Sequence, residues 1–248
     1  MIVNLQPEGW EIIYHRAHAL LAAQIAGHWD FKQDTSRLYE TIAAISHHDD
    51  LEKEWEEDSL TEVGAPLDFT MERETSVEQL RRHVDDALYK GRWVALLISV
   101  HLCFLNQGKR ETDTAIADFL DEQRQLQQQW REDLGISKDE MAAAYDLMRW
   151  CDRLSLILCQ RQIPMGERRL EIITDSNDQR YHIYLTPSGN LTIQPWPFAA
   201  ERCNFSVEAC YLSQLQFESN EELKLKLRQA PRKICSWNFL SSNSAANV

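Results

Sequence analysis

A histidine, then a His-Asp doublet, then an isolated aspartate stand in apolar surroundings along this chain. His18 opens HALLAAQIAGHW, His48-Asp49 closes TIAAISHHDD, and Asp152 interrupts AAAYDLMRWCDRLSLILC. A carboxylate among so many apolar neighbours is costly to bury unless something pairs with it. A divalent cation held by two imidazoles and two carboxylates would meet that requirement, and such donors suit Fe, Mn, Zn, Ni or Mg. With an open coordination position, the ion would polarise a phosphoryl oxygen or lower the pKa of bound water, giving hydroxide near neutral pH.

Other residues are candidates beside these four. His101 sits in VALLISVHLCFL, among Leu97, Ile98, Leu102 and Leu105, where an unpaired imidazole is expensive. His83, in LRRHVDDAL, has charged neighbours, so a solvent-facing reading stands beside the site reading. Asp50 follows the doublet and His47 precedes it, each about 100° around a helix from its neighbour. Asp50 is a candidate general acid/base or a partner to a histidine; His15 lies one turn before His18. Arg149, Arg153 and Lys53 could bind a phosphate. For each, the ordinary alternative is a hydrogen-bonded core residue, a cap or a solvated edge.

These residues need helices to position them. Residues 16–29 place His18, Leu21, Ala22, Ile25 and Trp29 on one helix face. A second helix is expected from Thr35 or Ser36, presenting Leu38, Ile42, Ile45 and then Asp49 along one stripe. Residues 51–75 are acidic and irregular, and 76–90 and 92–105 read as helices carrying His83 and His101. The charged segment 111–133 has an apolar stripe from Ile116 to Leu126, and Ser137 with Glu140 has capping-box spacing for a last long helix, to about Gln162. Beyond Pro164 and Gly166, LEIITD, YHIYLTP, NLTIQPW and ICSWNFL read as strands, with SNEELKLKLRQA a short helix before the last. MIVNL and WEIIY at the other end are short and β-like, and SSNSAANV is a frayed tail. The expected organisation is a helical core over 1–163 followed by a smaller strand-rich region over 164–248, packed on that core.

Composition bounds the function. The 248 residues, 44% of them hydrophobic, suit one large globular domain. A net charge of −13 with no long basic run argues against nucleic-acid binding. The cluster Lys224, Lys226, Arg228, Arg232, Lys233 reads as a solvated helix face. Six cysteines without CxxC spacing point to a reducing, cytoplasmic setting, and neither a signal peptide nor a membrane span is expected. Gly-rich phosphate loops, GxSxG elbows and HExxH helices are absent from the sequence.

The order H…HD…D, with thirty residues from His18 to His48 and about a hundred from Asp49 to Asp152, resembles the HD-domain superfamily of metal-dependent phosphohydrolases. Trp55, the run Gly64-Ala65-Pro66-Leu67-Asp68-Phe69 and Pro195-Trp196-Pro197-Phe198 are similar to a bacterial branch of that superfamily with no established substrate, over nearly the whole chain. The resemblance implies a mainly α fold, an HD-like helical core with a smaller strand-rich part at the C-terminal end. It implies His18, His48, Asp49 and Asp152 as metal ligands, with His101 and His83 binding a second ion or contacting substrate. Asp49 would bridge if there are two ions. Leu51-Glu52-Lys53 stands where the family has Gly and Trp, which alters the loop leaving the site. Three functions remain open: hydrolysis of a small phosphate ester or nucleotide with Asp50 and His101 as catalytic groups, a regulatory or ligand-binding module without turnover, and a di-iron oxygenase. The oligomeric state is not encoded in these patterns, and Trp196 reads as a core plug or as a lid.

Overall fold

A computed structural model describes residues 1–31, 36–51, 59–71, 76–166 and 168–242. Thr35, Lys53, Trp55 and most of the tail lie outside the described residues. The described elements run β1 (Ile2–Gln6), β2 (Gly9–Ile13), α1 (His15–Gly27), α2 (Leu38–His47), α3 (Val77–Leu88), α4 (Arg92–Asn106), α5 (Thr114–Leu134) and α6 (Lys138–Cys159). Then come β3 (Leu170–Thr174), β4 (Arg180–Leu185), β5 (Leu191–Gln194), β6 (Arg202–Leu212), α7 (Asn220–Gln229) and β7 (Arg232–Leu240).

Local chemistry accounts for the helices. The Ala- and Leu-rich α1 buries Ala19, Leu21, Ala22, Ile25 and Ala26, and its small residues let α2, α6 and β6 pack closely around it. Ser76 and Gln79 form a reciprocal capping box for α3, as Ser137 and Glu140 do for α6. Asp113 caps α5 through the N–H groups of Ala115 and Ile116, and Gly135 ends that helix at φ 65°.

The seven strands form one sheet in the order β1-β2-β6-β7-β5-β4-β3, antiparallel throughout except where β5 meets β7. The chain is therefore mixed α/β, and the expected mainly α architecture, an HD-like helical core with a strand-rich appendage, is overturned. β1 and β2 do not serve the helices alone: Ile12 pairs with Cys210 and Trp10 with Leu212, so strands from both sides of residue 163 share the sheet. Local periodicity marks a strand but does not state its partner, which is why those two strands carry no sign of β6. The longest strand, β6, alternates buried Cys203, Phe205, Val207 and Ala209 with more exposed neighbours, and the sequence reading passes over it. One hydrophobic core joins the helices to the sheet through residues such as Ile25, Trp150, Ile183 and Phe205. The basic cluster is solvated but divided: Lys224, Lys226 and Arg228 lie on α7, whereas Arg232 and Lys233 begin β7. No helix among the described residues is long and apolar enough to cross a membrane.

Candidate metal centre

Three elements converge to build the site. α1 supplies His18, fully buried, with His15 one turn earlier. α2 ends at His47, so His48 and Asp49 stand in the turn that follows it and not on its stripe. α6 supplies Asp152 and, one turn later, Ser155. One donor atom each from His18, His48, Asp49 and Asp152 lies within 4.8 Å of all the others.

The hydrogen bonds around this cluster fix which atoms face inward. The Ser155 hydroxyl donates to the Asp152 carbonyl at 2.8 Å, so towards His18 it acts as acceptor, taking the Nδ1–H at 2.9 Å. The His18 Nε2 then lies 2.5 Å from Asp49 Oδ2. His48 donates its Nδ1–H to the Ile45 carbonyl at 2.6 Å, and its Nε2 sits 3.2 Å from both Asp49 Oδ2 and Asp152 Oδ1. Each Nε2 thus faces a carboxylate, an arrangement that requires positive charge between them, carried by a proton on an imidazole or by a metal ion. Commitment of Nδ1–H to a carbonyl or hydroxyl, with Nε2 left free, is also how metal-bound histidines are oriented.

The electrostatics place such a charge on His48 itself. Burial opposes a charge on His48, but Asp49 and Asp152 outweigh it and hold its pKa well above the ordinary imidazole value. Burial would raise the pKa of Asp49, yet His48 and then His15 hold it well below the usual carboxylate range. Asp152 is lowered too, with burial again opposed and His48 dominant among the favourable partners. The carboxylates are 15% and 19% exposed whereas the two imidazoles are at most 1% exposed, so the cluster presents its oxygens towards solvent.

The remaining expected residues surround these four without entering the set. His101 lies behind His48, ring centroids 5.1 Å apart, with Nδ1 3.3 Å from the Tyr145 hydroxyl. Burial, then the charge of His48, pushes its pKa down to about 4. His83 is buried with Leu80, Val84 and Ala87 on the apolar face of α3, so the solvent-facing alternative does not hold. Its Nε2 has no hydrogen-bond partner among the described residues, and burial lowers its pKa to about 4 against the pull of Asp50 and Asp49. His15 comes within 3.3 Å of Asp49 through Nδ1 and packs on Phe69; burial takes its pKa to about 3. Asp50 points elsewhere: His47 Nδ1 is 2.7 Å from its Oδ2, and Arg16 donates to its carbonyl at 2.9 Å. Arg149 stacks 4.7 Å over Phe104 and lies 3.5 Å from Asp146, and Arg153 is half-buried on α6. Trp196 donates to the Ala200 carbonyl and packs against Phe198.

Ser155 and the Ile45 carbonyl are the contributors that sequence reasoning misses. Ser155 stands three residues after Asp152, a spacing that places both on one helix face, so its role was signalled. The carbonyl left open by the end of α2 carried no signal.

Residues 1–214 match the family model described as Protein of unknown function (DUF3891), and the chain belongs to that family. The match includes all four clustered residues together with His83 and His101. No curated protein and no solved structure matches the chain.

Proposed function

We propose that this protein is a metal-dependent hydrolase of small phosphate esters, with His18, His48, Asp49 and Asp152 holding a divalent ion. One observation carries the reading: the Nε2 atoms of His18 and His48, freed by their Nδ1 hydrogen bonds, oppose the carboxylates of Asp49 and Asp152 at 2.5–3.2 Å. When bound, a divalent ion supplies Lewis acidity towards a phosphoryl oxygen and acidifies coordinated water. The chain's own residues do the rest. Ser155 and Ile45 fix the two imidazoles, and the exposed edges of Asp49 and Asp152 leave a side open to solvent. Asp50, whose carboxylate is turned to His47, is the candidate general acid/base of this reading. The order H…HD…D, which resembles the HD-domain phosphohydrolases, supports phosphate esters as the substrate class.

A second reading draws on His83 and His101. His83 keeps a buried Nε2 without a partner among the described residues, and His101 stacks edge-on against His48. Two further imidazoles favour a second ion, and a pair of irons would favour oxygenase chemistry. The test is a phosphate-release screen over nucleotides and sugar phosphates, with the protein loaded with Mn, Fe, Zn, Ni or Mg. Release that disappears in Asp49→Ala supports hydrolysis. A fully loaded protein that releases no phosphate from any member overturns it, and oxygen uptake by the iron form would select the second reading.

A further inference from the structure

The sheet is paired unevenly along β7. That strand meets β6 along its whole length, from Arg232 opposite Cys210 to Leu240 opposite Arg202, but meets β5 only where Phe239 lies beside Leu191. The register fixes which backbone groups are left over. The Tyr211 N–H donates to the Pro231 carbonyl at 3.1 Å, and the Ser241 N–H to that of Glu201 at 2.9 Å. The odd-numbered residues of β7 therefore turn their N–H and C=O groups to β6. Those of Ile234 and Ser236 point the other way, where β5 has not yet begun, and have no partner among the described residues. Both residues are exposed, Ile234 by 65%.

Side chains cap other open stretches of this sheet. Where β6 runs past the end of β2, the Gln24 amide stands in for a strand. It donates from Nε2 to the Ser206 carbonyl at 3.0 Å and accepts the Ser206 N–H at 3.3 Å. On β1, Asp68 accepts the Val3 N–H at 2.8 Å. Folded proteins blunt their free edges in such ways, because a row of unpaired backbone groups is a template for another strand. Ile234 and Ser236 have no such cap among the described residues. A cavity of about 350 Å³ adjoins this edge, lined by Cys235, Ser236 and Trp237 of β7 and by Leu158, Arg161 and Ile163 around the end of α6. It offers a recess for a side chain of an added strand.

Charge selects the kind of strand. In a chain of net charge −13, Arg228, Arg232 and Lys233 gather where α7 gives way to β7. Glu208 pairs with Arg232, whereas Lys233 lies over the Tyr211 ring with no carboxylate partner among the described residues. A second copy of the chain would bring the same cations to the same edge, and an acidic segment complements them. We propose that the free edge of β7 docks an extended acidic peptide segment of a partner protein. The segment adds as a strand beside Ile234 and Ser236, with an apolar side chain in the adjoining cavity. None of these residues belongs to the His/Asp cluster, and docking here is independent of chemistry there.

The probe is a fluorophore-labelled Glu-Val-Glu-Val-Glu-Val-Glu peptide with blocked ends, titrated into the whole protein at low salt and followed by anisotropy. It should bind with a submillimolar Kd, and its counterpart with lysine in place of glutamate about tenfold more weakly. A docked strand presents one edge to β7, so N-methylation of either all the valines or all the glutamates should block binding while the other pattern spares it. Ile234→Pro removes an outward N–H without touching the ladder to β6, a placement that edge strands tolerate, and should weaken binding about tenfold. Site-resolved hydrogen exchange should show the Ile234 and Ser236 amides protected by the peptide, and those of Lys233 and Cys235, already bonded to β6, unchanged. No binding at millimolar concentration, equal affinity for the lysine peptide, or undiminished binding to Ile234→Pro would each overturn the proposal. Self-association of the wild-type chain that Ile234→Pro abolishes would also overturn it, by giving the edge to a second copy. Should Ile234→Pro not fold, the exchange pattern and the two N-methylated peptides decide it.

Discussion

Glu11 and Asp49 are both carboxylates drawn into the protein, and the groups around them are opposite in kind. Glu11, 1% exposed on β2, is met only by donors among its close oxygen and nitrogen partners: Arg161 Nε and Nη2 at 2.8 and 2.5 Å, the Tyr211 hydroxyl at 2.6 Å and Asn4 Nδ2 at 3.2 Å. Its charge is matched within the chain. Asp49 instead meets the ring nitrogens of His18 and His48, whose N–H groups are spent on Ser155 and Ile45, and has Asp152 as a neighbour. The positive charge in that cluster rests on a titratable imidazole, His48, and not on a permanent cation. The difference separates an ion pair closed by a permanently charged guanidinium from a site whose positive charge is exchangeable, so that a metal ion can take the place of the proton. Arg161 reinforces the contrast: it holds φ 56°, a left-handed conformation costing a non-glycine residue about 1–2 kcal/mol, and there its side chain reaches Glu11.

The contrast is open to attack from both sides. The largest expected effect is on the completed pair. Arg161→Met leaves Glu11 buried without its cation and should cost up to about 3–5 kcal/mol, with the lower end expected because Arg161 is half exposed. Chemical denaturation measures this loss, and metal content should not change. Next, a divalent ion at a hundred times its Kd should stabilise the wild-type chain by about 2.7 kcal/mol, raising Tm by roughly 5–10 °C. Asp49→Ala should show no such rise in a thermal melt, whereas Arg161→Met should retain it. Equal responses in the two variants would erase the distinction between the sites. A smaller effect is expected for Glu11→Gln, about 1–3 kcal/mol, since the freed guanidinium can turn to water. His101→Gln should reduce phosphate release about tenfold while shifting Tm little; unchanged turnover in a stable variant would assign His101 to packing alone.

The smallest effect is one of pH. Burial raises the pKa of Glu11, but the Arg161 and Tyr211 hydrogen bonds outweigh it and hold the folded value below the ordinary 4.5. The folded state then binds fewer protons than the unfolded one in this range. Stability from Glu11 is present above pH about 4.5 and is lost as pH falls through the lowered folded value. Glu11→Gln should flatten that part of the acid-unfolding curve, and an acid limb of the same slope in both proteins would contradict the assignment.

The two sites also differ in how legible they are. His18, His48, Asp49 and Asp152 stand out in the sequence because each puts an ionisable group where its neighbours are apolar, a local conflict that points to a partner. Glu11 gives no such sign. WEIIY reads as an ordinary strand, and Arg161 and Tyr211, which hold the Glu11 carboxylate beside Asn4, lie 150 and 200 positions away. The same limit accounts for the fold. Most strands and the α-helices among the described residues are visible from their periodicity, but the pairing of β2 with β6 depends on contacts between the two ends of the chain; β6 carries the alternation of a strand, Cys203, Phe205 and Val207 against Asn204, Ser206 and Glu208, and the sequence reading passes over it. His83 illustrates the converse. Charged sequence neighbours suggest solvent, yet the helical stripe of Leu80, Val84 and Ala87 carries it inward.

The central claim is that the His/Asp cluster holds a metal ion while the Glu11 pair does not. Elemental analysis by plasma mass spectrometry tests it most directly, on protein prepared without chelators or metal-affinity resin and then dialysed against Mn, Fe, Zn, Ni or Mg. A stoichiometric divalent ion is expected in the wild-type chain and in Arg161→Met, and its loss is expected in Asp49→Ala. A wild-type protein that retains no ion under any of these conditions, or an Asp49→Ala protein that retains as much as the wild type, would contradict it.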